Sequence, residues 1–349
     1  MGFKDVETAV YEKTGGGSVR CGVCPRRCVV EEGELGFCRV RENRDGRLMS
    51  LVYGKAVSSG IDPIEKKPLF HYAPGSKALS LATVGCNLRC DFCQNFRISQ
   101  EWEGVVGQEL PPKRVVEQAR KHGCGGIAYT YTEPTVFLEY ARDTMKETAE
   151  DMYSVFVSNG YITEEAIDVI SPHLDAINVD LKGNEEFYRK HCGVPDPEPI
   201  FDAMVSLDKK GVLVEVTNLI IPGENDSEED IRKRAKWIKE NLGPETPVHF
   251  SRFRPDFKML NKEPTPVSTI EKAIGIAKDV GLYHVYSGNV PGHETESTYC
   301  PDCNSLLVKR HGFSVVEFNM DKNMECINCG RKINIGGKGW VPEKLFKGS

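Results

Sequence analysis

The chain has 349 residues, 40% hydrophobic and 28% charged, the balance of a globular protein large enough for one main domain and small appendages. A net charge of -6 and a pI near 5.9 make no electrostatic case for nucleic acid, and no apolar run is long enough for a membrane span. Thirteen cysteines, in a chain whose N-terminus MGFKDVETAVYEK has no apolar signal core, point to a reducing cytoplasm and to metal ligation rather than disulfides.

Residues 1–60 carry the first cysteine group, Cys21-x2-Cys24-x3-Cys28-x9-Cys38. A segment this short builds no adequate core alone, so it reads as a metal-stabilised module. Zinc and an auxiliary iron–sulfur cluster both suit four thiolates, and both stay open.

Residues 61–295 alternate strand-like and helix-like segments. Apolar runs occur at 78–84, 126–130, 153–158, 175–181, 212–221, 247–253 and 282–287. Amphipathic stretches lie between them, as in PPKRVVEQARKHG, which opens on proline and closes on glycine. Ser227 before Glu228 and Asp230 has the pattern of an N-cap followed by an acidic first turn. Such alternation predicts right-handed βαβ units and a parallel sheet. The expected fold is α/β, a partial (β/α)6-type barrel flanked by small four-cysteine modules. A flat doubly wound sheet is the alternative.

Residues 296–349 hold Cys300-x2-Cys303-x22-Cys326-x2-Cys329, the spacing of a zinc ribbon or a rubredoxin-like site. Zinc is favoured because four-thiolate zinc sites are commoner. Iron in the same place could feed electrons to a second site. Lys309, Arg310, His311, Arg331 and Lys332 make this region locally basic, which reads as a solvated face before a binding surface.

The middle group is different. The first apolar run leads into Cys86-x3-Cys90-x2-Cys93. Three thiolates can bind three irons of a cubane cluster and leave the fourth iron for another ligand. The loop follows a strand, where active sites of such barrels collect. A structural zinc site would need a fourth ligand that the loop does not supply.

This loop, with Phe92 just before its last cysteine, resembles the radical S-adenosylmethionine (SAM) superfamily. The order of later motifs resembles activating enzymes of glycyl-radical enzymes, such as pyruvate formate-lyase activating enzyme, over about residues 79–292. DPIEKKPLFHYAPG and CPRRC are closer to AmmeMemoRadiSam-system radical SAM proteins, a resemblance that reaches both ends. The resemblance implies a [4Fe-4S] cluster on Cys86, Cys90 and Cys93. It also implies an oxidoreductase-type reductive cleavage of SAM to a 5′-deoxyadenosyl radical.

It implies site residues too. Phe92 would pack near the adenine, Glu133 would bind the SAM amino group, and Ser158 and Asn159 would help hold ribose. A carboxylate suits an ammonium, although Glu133 also fits the start of the next helix. Tyr131 and Thr132 stand where the superfamily motif has two glycines. Asp180 and Lys182 alternate by two, so they can share one side of a strand end. Thr217 lies in the fifth strand, and His249, Ser251 and Arg252 near the sixth; these join the candidate contacts. Cys124 and Cys192 stand alone and read as buried thiols, with a radical-carrying or hydrogen-donating role the second reading for Cys192.

The implied partners are a low-potential electron donor, ferredoxin or flavodoxin, and a substrate that is a protein, a small molecule or an RNA. The competing class is an RNA- or protein-binding metalloprotein with a vestigial barrel.

Overall fold

The computed structural model describes residues 5–148 and 150–341. Residues 1–4 of the N-terminal segment and 342–349 of the C-terminal segment lie outside the described residues. Among the described residues, no helix is long and apolar enough to cross a membrane.

One eight-stranded sheet organises the molecule: β1 (Ser58–Pro63), β2 (Lys77–Ala82), β3 (Gly126–Tyr129), β4 (Tyr153–Ser158), β5 (Ala176–Asp180), β6 (Leu213–Ile220), β7 (Val248–Arg252) and β8 (Val285–Gly288). All seven apolar runs form strands, β2 to β8, and these are parallel. β1 is the addition. It pairs antiparallel with β2, from Ser58 opposite Ala82 to Pro63 opposite Lys77. Its sequence SSGIDP has no apolar alternation, and it survives as an edge strand, where proline is tolerated. The boundary expected after residue 60 falls inside it. Strand order runs from β1 to β8 without reversal. A doubly wound sheet reverses order at a switch point, so that alternative fails.

The crossover helices are α1 (Pro112–Lys121), α2 (Leu138–Lys146), α3 (Glu164–Ile170), α4 (Glu198–Lys209), α5 (Glu228–Asn241) and α6 (Val267–Val280). Thr163 caps α3 by accepting from the Ala166 amide, and Ser227 caps α5 by accepting from Asp230, as its sequence pattern indicated. Each such cap stabilises by about 1 kcal/mol.

The two faces of the sheet bury different things. Leu79, Leu81, Ile127, Phe156, Val179, Val216 and Phe250 belong to the helix-side core. Ala78, Ala128, Val155 and Ala176 belong to a second core with Ile64, Leu69, Tyr72 and Ala73. The second face is thus filled by the irregular segment 64–73, which small alanines allow close to the strands. A buried irregular backbone needs hydrogen-bond partners. Glu215 on β6 accepts from the amides of Phe70 (3.0 Å) and His71 (2.8 Å), and Asn178 on β5 donates to the Pro68 carbonyl (2.8 Å).

The terminal regions attach to opposite ends of this sheet. The N-terminal one forms two three-stranded sheets, and its Val19, Val30, Val40 and Leu48 are part of the helix-side core. The C-terminal one packs Leu307, Val308, Phe318, Met320 and Ile333 into a core of its own. It reaches the sheet where strands begin: Trp340 Nε1 donates to the Pro74 carbonyl (3.0 Å), ahead of β2, and Arg331 pairs with Glu245, ahead of β7.

Candidate active site

The Cys86–Cys93 loop leaves the C-terminal end of β2. Gly85 begins it at φ +100°, a conformation that favours glycine. A side chain there would also collide, because an added Cβ would lie 2.7 Å from Val40 Cγ1 and 3.1 Å from the Cys38 carbonyl oxygen. The loop is held from three sides. Arg26 Nε donates to the Asn87 carbonyl (2.5 Å). The amides of Arg89 and Asp91 donate to the carbonyls of Cys192 and His191, both at 2.9 Å. Gln100 Nε2 donates to the Cys90 carbonyl (2.9 Å).

Each thiol has a polar neighbour. Cys86 Sγ accepts from the Leu88 amide (3.4 Å) and lies 3.7 Å from Asn159 Nδ2. Cys93 Sγ is 3.3 Å from Ser99 Oγ. Cys90 neighbours the thiol of Cys192. Burial pushes the Cys86 thiol well above its usual range, and the Cys192 thiol followed by burial does the same to Cys90. Ligation requires thiolates, so metal assembly here must release protons.

Asp180 and Lys182 do share one side of the strand end and form an ion pair at 2.9 Å. Burial opposes the charge on Lys182, but Asp180, Cys90 and Cys192 more than offset it and raise its pKa well above the usual lysine value. Its ammonium is 5.9 Å from the centre of the Phe92 ring, which packs on Phe187. Thr217 sits opposite Asp180 in register, and its Oγ1 is buried with no hydrogen-bond partner. An unmade buried hydrogen bond costs about 1–3 kcal/mol, so Thr217 is suited to receive a polar ligand.

Glu133 is more committed. Its Oε1 accepts from the Thr135 amide (3.0 Å), Thr135 Oγ1 (2.6 Å) and Ser158 Oγ (2.7 Å), and its Oε2 accepts from the Asn159 amide (2.8 Å). It caps the short helix at Pro134–Phe137, so the helix-start role holds. Ser158 and Asn159 reach Glu133 directly, joining the ends of β3 and β4. Lone-pair capacity remains on Oε2.

Tyr131 takes a glycine-like conformation, φ +64°, where the superfamily motif has glycine. That costs on the order of 1 kcal/mol for a side-chain residue. Tyr131 is anchored in return: its hydroxyl donates to Asp62 (2.5 Å), and Lys67 Nζ lies 4.5 Å from its ring centre. Lys67 is buried and paired with Asp62 at 2.8 Å.

His249, opposite Thr217 in register, and Arg252 are committed to other partners. His249 is bonded to Glu215 (2.7 Å) and packs on Phe70, while Arg252 Nε donates to the Thr265 carbonyl (2.7 Å). Ser251 is buried on β7 between them. Conversely, the structure adds residues that sequence patterns do not reveal. His191 bridges Asp91, inside the cysteine loop (3.2 Å), and Glu224 (2.8 Å), which also pairs with Lys190 and Lys262. Only the fold brings these together.

The model of the family described as the radical SAM superfamily matches residues 80–235, from β2 into α5. A relative from Methanocaldococcus jannaschii, uncharacterized protein MJ0808, is 46% identical over 332 residues, 94% of this chain and 99% of its own length. The chain belongs to the radical SAM superfamily. Membership implies SAM and a [4Fe-4S] cluster, and the three thiols of the loop fit that donor set. Pyruvate formate-lyase-activating enzyme of Clostridium pasteurianum is 24% identical over 161 residues, covering 44% of this chain and 66% of that one. A radical SAM methyltransferase structure from Sphaerobacter thermophilus aligns with a TM-score of 0.49 and 17% identity, over 61% of this chain and 66% of that one.

The C-terminal cysteines have the geometry of one ion. Cys300, Cys303, Cys326 and Cys329 place their sulfurs within 4.8 Å of one another, with Cys300–Cys329 at 3.5 Å and Cys303–Cys326 at 3.6 Å. A tetrahedron with zinc–sulfur bonds of about 2.3 Å has edges of about 3.8 Å. The four residues fit a metal ion.

Proposed function

We propose that this chain is a radical SAM enzyme whose Cys86, Cys90 and Cys93 hold a [4Fe-4S] cluster at the strand-end mouth of a curved, partial (β/α) barrel. When bound, the cluster supplies the electron that cleaves SAM reductively to a 5′-deoxyadenosyl radical, which abstracts hydrogen from substrate. The observation that carries this is the three-thiol loop on the first parallel strand, within the residues matched by the family model. Phe92 and the Asp180–Lys182 pair line the same surroundings, and Thr217 offers its free hydroxyl. Asn159 sits beside Cys86, while Glu133 and Ser158 hold the neighbouring strand ends in place. Lys182 is cationic here and suited to a carboxylate.

We place the chain among AmmeMemoRadiSam-system proteins on its CPRRC and DPIEKKPLFHYAPG segments. The second of these supplies the segment that fills the sheet. The activating-enzyme relatives support a protein substrate, and ferredoxin or flavodoxin is the fitting reductant. Cys21, Cys24, Cys28 and Cys38 are metal ligands in this reading, and the C-terminal site holds zinc.

Cys86→Ala should abolish both 5′-deoxyadenosine formation with dithionite and the SAM-induced change in the cluster's EPR signal. Undiminished 5′-deoxyadenosine from that variant would overturn the assignment.

A further inference from the structure

We propose that Cys21, Cys24, Cys28 and Cys38 hold a second [4Fe-4S] cluster that passes electrons to the Cys86–Cys93 site beside it. The electron's destination rests on the function proposed above; the identity of the second cluster does not.

Three observations carry it. First, these four cysteines ring a cavity, with Phe37 and Asn87 also in its wall. Among the described residues, the C-terminal set is the one whose ligand atoms gather within 4.8 Å. A single ion needs that gathering. A cubane has one thiolate on each of four irons, so it holds its ligands around a body rather than a point.

Second, the cavity abuts the active loop. Asn87 lines it, and Asn87 directly follows Cys86. The side chain of Asn87 accepts from Asn159 Nδ2 (2.9 Å) and donates to the Tyr161 carbonyl (2.7 Å). On the other side of Cys86, Gly85 lies against the Cys38 carbonyl. The two cysteine sets therefore adjoin through Gly85 and Asn87. The C-terminal set attaches where the strands start, at the opposite end, so it is poorly placed to feed electrons to this site.

Third, the surroundings suit a negatively charged cluster. Arg26 and Arg89 both lie over the Phe37 ring, at 3.5 and 4.2 Å from its centre. Arg26 bonds Asn87 and the Gly193 carbonyl (2.6 Å), while Arg89 donates to the carbonyls of Cys86 (2.8 Å) and Phe37 (2.6 Å). Two cations thus bridge both sites. One electron from reduced ferredoxin or flavodoxin reduces the N-terminal cluster and then moves to the Cys86–Cys93 cluster, with no atom transferred.

The test is acid-labile sulfide and metal content of the anaerobically reconstituted full chain. About eight sulfides, eight irons and one zinc are expected. About four sulfides with two zincs would overturn the proposal, and this count needs no variant. Cys86→Ala/Cys90→Ala/Cys93→Ala should retain about four sulfides. Loss of all sulfide there would refute the second cluster and leave the radical SAM reading standing. Full retention of eight would sink the radical SAM reading instead. Cys24→Ala/Cys28→Ala should lose about four sulfides and keep the SAM-responsive EPR signal. Reduction of its remaining cluster by reduced flavodoxin should slow at least tenfold; an unchanged rate would exclude the relay.

Discussion

The two four-cysteine regions have similar composition and opposite relations to the main sheet. The N-terminal one shares the helix-side core and touches the residues on either side of Cys86. The C-terminal one has its own core and its own compact sulfur tetrahedron, and it sits at the far end. A shared core makes a metal region part of the site's framework, whereas a separate core makes it a brace that can fail alone.

The sharpest break of this comparison is electrostatic. Arg41 and Glu139 form a buried ion pair at 3.0 Å between the N-terminal region and α2, with Thr8 and the Val136 carbonyl as further partners. Removing one member leaves an uncompensated buried charge, so Glu139→Ala should cost about 3–5 kcal/mol, read from urea denaturation. Arg331 with Glu245, one of the links from the C-terminal region to the strand starts, is partly exposed. Glu245→Ala should cost less than about 1 kcal/mol. Equal losses would erase the distinction.

Next comes the C-terminal metal. Cys300→Ser/Cys326→Ser should release the bound metal and expose residues 296–341 to protease, because metal binding is folding energy in so small a core. 5′-Deoxyadenosine formation should stay within about twofold of the parent, since the site is at the other end. Loss of cleavage in a soluble variant would mean the two ends are coupled.

The junction between the C-terminal region and the segment that fills the sheet has a pH signature. Burial pushes the Glu65 carboxyl up to about 7 against the opposing pull of Arg310, whose guanidinium lies 3.8 Å away. Between the usual 4.5 and about 7 the folded chain keeps a proton that the unfolded chain has released. Stability therefore falls as pH rises through that window and levels off above it. Glu65→Gln should flatten the fall, read as melting temperature against pH. An unaltered pH profile would show that Glu65 is not its source.

The smallest effect concerns Tyr131. Tyr131→Phe should cost about 1 kcal/mol through the lost bond to Asp62, and Tyr131→Gly should offset part of its loss by relieving the positive φ. Comparing their melting temperatures separates the anchor from the backbone.

Much of this was readable one residue after another. Apolar runs marked seven strands because parallel strands are covered on both faces. Ser227 marked a helix start because capping acts over three residues. β1 was missed because an edge strand needs little apolar pattern. The filling of the sheet by 64–73 was missed because Glu215 and Asn178 meet its backbone across more than a hundred residues. The bonds of Glu133 to Ser158 and the Asn159 amide were missed because neither group is near it in the chain.

By itself, then, the sequence determined the chemistry on offer: three cysteine groups, their spacing, and a βαβ rhythm that puts the middle group after a strand. These are local properties, set by adjacent residues and strand or helix periodicity. Tertiary structure alone decided which group neighbours which. The N-terminal cysteines lie beside Cys86 and the C-terminal ones at the opposite end, because packing and buried hydrogen bonds between distant segments set that arrangement, and no spacing in the chain encodes it.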